Sequence, residues 1–190
     1  MSTMQRATSD GPLVQFFAEY PQFEYDRSKA PTKEFQRMCR LVRLVPRSDE
    51  RKAAQEAFNN AIALEFNDAF GTDENSLESW QALCERLQID PIPDTLNECR
   101  RVVKSTHVNL VDMVDRNEEV PEKFPSVAAL RQYSIENHKI FPKENAYAGG
   151  LLKNLLREFF NAHRGRHGHG RRGRGGGRGR GRGVAGETVV

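Results

Sequence analysis

Apolar residues recur at helical spacing along most of this chain, with polar residues on the opposite faces. The first stripe is Leu13, Phe16, Phe17 and Tyr20, entered at Asp10-Gly11-Pro12 and stopped by Pro21, which predicts a short docking helix. A loop with Phe23 and Tyr25 leads to Pro31 at a first helical position, followed by Phe35, Met38, Cys39 and Val42. Ser48-Asp49-Glu50 combines a capping hydroxyl with two acids suited to the positive end of a helix dipole. The helix it opens runs over 49–70, with Ala54, Phe58, Ala61, Ile62, Phe66 and Phe70 on one face and Gly71 as its C-terminal cap. Leu77, Trp80, Leu83, Cys84 and Leu87 form the next stripe, in which Trp80 reads as a core anchor rather than a base-stacking platform.

After the proline-rich connector 89–94, a helix turns Leu96, Cys99 and Val103 inward. The stretch 106–115 fits neither strict alternation nor one narrow stripe, so it reads as a buried short helix, with a buried strand as the alternative. Asp112, Asp115, Glu118 and Glu119 read as solvated or capping acids rather than a catalytic or metal site, since His107 alone of the usual partners lies nearby. Ser126 caps a helix carrying Val127, Leu130 and Tyr133 or Ser134 inward, with Phe124 placed to staple against Leu130 and His138 near the helix end. A last helix is read from Pro142 through Ala146, Leu152, Leu155, Leu156 and Phe159. Gly149-Gly150 at its centre marks either a close crossing or a hinge. The expectation is an all-α fold: a flexible N-terminus over 1–11, a single helical domain of about seven helices over 12–160, and a tail over 161–190.

The tail differs from the body in composition. Residues 163–183 hold eight arginines and ten glycines, and no acid, aliphatic or aromatic side chain. Such a segment cannot bury enough apolar surface to offset the entropy of ordering, so it is expected to be disordered in isolation. Guanidinium groups match phosphate bidentately and glycine lets the backbone follow an irregular partner. Arg164, Arg166, Arg171, Arg172, Arg174, Arg178, Arg180 and Arg182 are therefore the candidate nucleic-acid-binding residues. Their Arg-Gly steps resemble the RGG/RG tails of RNA-binding and nucleolar proteins, a resemblance that implies sequence-tolerant binding of RNA or another polyanion and a context for arginine methylation. The alternative is a solubilising extension. Through residue 160 the chain carries 21 Lys and Arg against 25 Asp and Glu, while 161–190 carries eight Arg against Glu187 alone. The body as a whole is thus no basic platform, and Arg37, Arg40 and Arg43 read first as a solvated face paired with body acids, second as an RNA contact.

Other chemistry is sparse. There is no phosphate-cradling Gly-Lys loop, Gly-x-Ser-x-Gly, Cys-x-x-Cys or His-Glu-x-x-His, so neither an enzyme nor a cofactor or metal site is expected. His163, His167 and His169 read as polar members of the basic tail, and Glu187-Thr188-Val189-Val190 resembles a PDZ ligand. Cys39, Cys84 and Cys99 each fall on an apolar stripe, as buried reduced thiols do, and no signal peptide or membrane-length apolar run is present. These features predict a nuclear or cytoplasmic protein. The segments Trp80-Gln81-Ala82-Leu83-Cys84, Asn97-Glu98-Cys99-Arg100, 107–112 and 149–157 resemble a group of small uncharacterised fungal proteins, which implies one helical domain and no particular activity. The leading expectation is an RNA-binding accessory protein whose helical body docks an unidentified protein partner. The competing one is an interaction adaptor in which the tail adds only solubility or nuclear retention.

Overall fold

The computed structural model describes residues 11–115, 120–142, 145 and 147–161, with side chains to residue 156. Among these residues the fold is helical: α1 Pro12–Ala18, α2 Pro31–Leu41, α3 Asp49–Phe70, α4 Leu77–Arg86, α5 Leu96–Ser105, α6 Leu110–Val114, α7 Val127–Glu136 and α8 Gly150–Asn161. Two short strands, β1 His107–Val108 and β2 Lys123–Phe124, pair antiparallel with His107 opposite Phe124. The Arg-Gly segment, the three tail histidines, the final four residues, Glu118, Glu119 and the first ten residues lie outside the described residues.

The long α3 is the axis on which the rest packs. Ser48 caps it as expected, its Oγ accepting the Arg51 N–H at 3.2 Å, and Gly71 ends it at φ 82°. The α1 helix has no side-chain cap of its own. Instead Glu65 of α3 accepts the Leu13 N–H at 3.4 Å, setting a carboxylate at the positive end of α1 while Phe16 and Phe17 enter the core. Around that junction Phe35 stacks on Phe58 with ring centroids 4.6 Å apart, and Phe17 on Tyr25 at 4.2 Å. Trp80 is fully buried, as its stripe predicts, and its indole N–H donates to the Glu74 carbonyl at 2.8 Å. All three cysteines are buried free thiols.

Two segments depart from the sequence reading. The stretch 106–115 is both alternatives in succession, β1 and then α6, because Asn109 breaks the strand and caps the helix by accepting the Val111 N–H at 2.8 Å. The last helix starts at Gly150, so Gly149-Gly150 sits at its beginning and not at its centre. A Cβ on Gly149 would lie 2.7 Å from the Thr72 Cβ, and the Leu151 N–H donates to the Thr72 carbonyl at 3.0 Å. The glycines therefore let the entry of α8 press against the chain leaving α3, which is the close-approach reading of the pair. Phe124, expected to staple against Leu130, meets the Tyr133 ring at 4.7 Å.

A candidate nucleic-acid interface

Three helix ends close in the same way. At the end of α2 the Leu44 N–H reaches the Cys39 carbonyl at 2.9 Å and the Arg43 N–H reaches that of Arg40 at 3.2 Å. Equivalent pairs end α4 around Gln88 and α7 around His138. This six-to-one, five-to-two pattern demands a left-handed residue, ordinarily glycine. Here Arg43, Gln88 and His138 take φ values of 60°, 48° and 55°. The turn at Arg43 carries the chain away from α2 into a loop in which Arg47, at φ 69°, is also left-handed, and the loop delivers Ser48 to cap α3. The turn at His138 lays residues 138–142 across from that loop.

Between them runs a groove of about 880 Å³, walled by Arg40 and Arg43 from the end of α2, Arg51, Gln55 and Asn59 from one face of α3, and His138, Ile140 and Pro142. It continues into a second hollow of about 770 Å³ that shares Arg51, Gln55, Asn59 and Pro142 and adds Arg47 and Lys52. Leu44, Val45 and Cys39 supply apolar surface to the first hollow, and Glu56 is the carboxylate among the described residues that line the second. Spacing on α3 explains the wall: residues 51, 55 and 59 are four apart and so stand one above another.

The cations of this groove differ in how they are held. Arg40, Arg43 and Arg47 are exposed, and no ion pair among the described residues involves them. Arg51 is anchored: its guanidinium lies over the Phe35 ring at 4.7 Å and donates to Gln36 Oε1 at 3.0 Å. Burial draws its pKa down, yet guanidinium stays charged at any physiological pH, and its Nη1 is buried without a hydrogen-bond partner. Lys52 pairs with Asp49 at 2.8 Å, with both side chains well exposed. Such a pair contributes little and is readily exchanged for another anion.

Of the arginines spaced along α2, Arg37 behaves as the solvated-face reading expected. It forks onto Glu34, with Nε 2.9 Å from Oε1 and Nη2 2.6 Å from Oε2, donates to the Glu24 carbonyl and covers the Phe23 ring at 4.3 Å. The structure thus divides the trio, holding Arg37 for the fold and presenting Arg40 and Arg43 to the groove. Arg47, Arg51 and Lys52 escaped the sequence reading although they follow Arg43 within the same run, because a loop and a cap intervene. His138, remote in sequence, was visible only as a residue near the end of α7, with nothing to link it to this groove.

The acids also need correction. Asp112 and Asp115 were expected to be solvated or capping, but both are buried. Asp112 Oδ1 accepts from Lys139 Nζ, which also donates to the Tyr133 hydroxyl at 2.7 Å, while Asp112 Oδ2 has no hydrogen-bond partner. Asn109 adds a second tie, donating to Ser134 Oγ at 2.8 Å and to the Lys139 carbonyl at 2.9 Å. These bonds fix residues 138–142, and so fix one wall of the groove. Among the described residues no group of three or more His, Cys, Asp or Glu side chains is placed to share a metal ion, and no helix is long and apolar enough to cross a membrane. No protein-family model matches the chain, and no curated protein or solved structure matches it.

Proposed function

We propose that this protein is an RNA-binding accessory protein that grips phosphates at two places, the Arg-Gly segment and the cationic groove of its body. The body would dock a protein partner besides. One observation carries the reading: on a body with more acids than bases, Arg40, Arg43, Arg47, Arg51 and Lys52 converge on one groove, facing Glu56 as the single carboxylate among the described lining residues. Cations gathered in a concave surface focus the field and raise the local concentration of a polyanion. The amides of Gln55, Asn59 and Asn60 offer donors for phosphate or sugar oxygens, and the apolar surface of Val45 and Ile140 offers a place for base faces. The eight tail arginines extend the same chemistry on a glycine-rich segment, without aromatic rings to select a base, so binding is sequence-tolerant.

The test uses the full chain and a generic single-stranded RNA such as poly(U). Neutralising two exposed cations, Arg40→Gln with Arg43→Gln, weakens binding and reduces the log–log salt slope by about 1.4, from about 0.7 per lost single-strand phosphate contact. Arg101→Gln, exposed on α5 and away from the groove, leaves both unchanged. Equal behaviour of the two variants would remove the groove from the interface.

A further inference from the structure

On the other flank of residues 138–141 lies a trough of about 620 Å³, lined chiefly by Val127, Leu130 and Ile135 of α7, by Ile140 and Phe141 beyond it, and by Leu156 of α8. Ile135 and Ile140, both lining it, are 50% and 60% exposed, so the trough presents aliphatic surface to solvent. Besides Arg131, three polar side chains reach the trough, and all three are bonded within the protein. Asn109 bonds to the Val111 N–H, Ser134 and Lys139. Ser134 Oγ donates to the Leu130 carbonyl at 2.7 Å, and Lys139 Nζ is held by Asp112 and Tyr133. A small polar ligand would find little here to orient it, whereas apolar side chains would find a preformed surface.

The charged side chains among the described lining residues of the trough, Arg131 and Lys139, are both cationic. Arg131 lines it and is exposed, and His138 stands beside Lys139 at the end of α7. Among its described lining residues there is no carboxylate. Glu136 belongs to the same helix but is bonded by Gln132 at 2.9 Å and does not line the trough. Ile140 borders both concavities, so the apolar trough adjoins the groove that Arg40 and Arg43 line. We infer that this trough is a docking site for an acidic amphipathic helix of a protein partner, its aliphatic side chains seated between Ile135 and Leu156 and its carboxylates facing Arg131 and the cationic groove. That is the helix-in-groove mode, in which residues at i, i+4 and i+7 supply the anchors. The inference rests on the partner-docking half of the proposed function and is independent of whether the polyanion is RNA.

The experiment measures fluorescence anisotropy of labelled helical peptides of about four turns, with leucines at i, i+4 and i+7, against the full chain without RNA. One peptide carries glutamates on its polar face, one carries lysines, and one has the glutamate composition in scrambled order. The glutamate peptide should bind, and Ile135→Asp should weaken it by about tenfold or more, while poly(U) binding by that variant stays unchanged. Arg131→Glu should weaken the glutamate peptide and strengthen the lysine peptide. Circular dichroism confirms that each variant is folded; both sites are exposed. Binding of the scrambled peptide as tight as the ordered one, or insensitivity to Ile135→Asp, would overturn the proposal. So would a dimer in sedimentation that Ile135→Asp converts to monomer, since a second copy would then cover the trough. Loss of poly(U) binding by the wild-type chain would sink the RNA reading and leave this one intact.

Discussion

A left-handed turn closed by an arginine, a glutamine or a histidine costs about 1–2 kcal/mol relative to an ordinary backbone conformation, and glycine avoids that cost at a smaller entropic penalty. Gln88 is the member of the three that lies outside the groove. Gln88→Gly should therefore stabilise the fold by roughly 0.5–1 kcal/mol, read as a higher urea midpoint at unchanged slope, with no effect on RNA binding. Arg43→Gly should stabilise similarly and weaken RNA binding, the combination expected where a residue is kept for function at the expense of stability. The buried Asp112–Lys139 pair makes a second residue-scale case. Removing one partner, as in Lys139→Met, leaves a carboxylate in the core and should cost about 3–5 kcal/mol, while Lys139→Met with Asp112→Leu should cost much less. Burial pulls the Lys139 pKa down, but hydrogen bonds to Asp112 and Tyr133 prevail and raise it from 10.5 to about 12. Its stabilising contribution is thus complete below 10.5 and lost as pH rises through about 12. Cys84 behaves likewise: burial, then the neighbouring Cys99, pushes its thiol from 9.0 to about 12. The native chain should accordingly resist a thiol-alkylating reagent at neutral pH and react at all three cysteines in denaturant, with intact mass as the readout.

Among the elements, α8 depends most visibly on what it meets. Gly149→Ala would set a Cβ 2.7 Å from that of Thr72 and should destabilise the fold by about 1–3 kcal/mol in urea unfolding. Thr72→Ser should not rescue it, because serine keeps the offending Cβ. That contact also explains what the sequence could and could not show. Local rules sufficed for α3, whose limits follow from the Ser48 cap, one apolar face and Gly71, and for the buried Trp80. They set the start of α8 too early, at Pro142 rather than Gly150, although the close crossing they offered for the two glycines is what Thr72, remote in the chain, requires. They were ambiguous at 106–115, where pairing of His107 with Phe124 decides that a strand precedes the helix. The candidate groove shows the same division. Arg40 and Arg43 were visible by their spacing, but the loop that adds Arg47 and Arg51, and the turn that brings His138 across, are tertiary events. Asp112 misled for a related reason: its cation partner, Lys139, belongs to the far side of α7.

For the whole molecule, the central property is the separation of charge. An acid-rich body presents a cationic groove and is joined to a segment with eight arginines and one glutamate beyond residue 160. If both regions meet phosphates, their contributions to the salt dependence of binding should be separable. The eight tail arginines can add at most about 5–6 to the log–log slope on single-stranded RNA, and the five groove cations at most about 3–4. The most direct measurement is poly(U) binding across a salt series by the full chain, by a chain ending at Ala162, and by that shorter chain carrying Arg40→Gln and Arg43→Gln. If both regions grip phosphate, the full chain shows a steep slope, the shorter chain binds more weakly with a shallower but real slope, and neutralising its two groove arginines causes a further loss. Absence of binding by the full chain at low salt, or a slope that neither change alters, would contradict that premise.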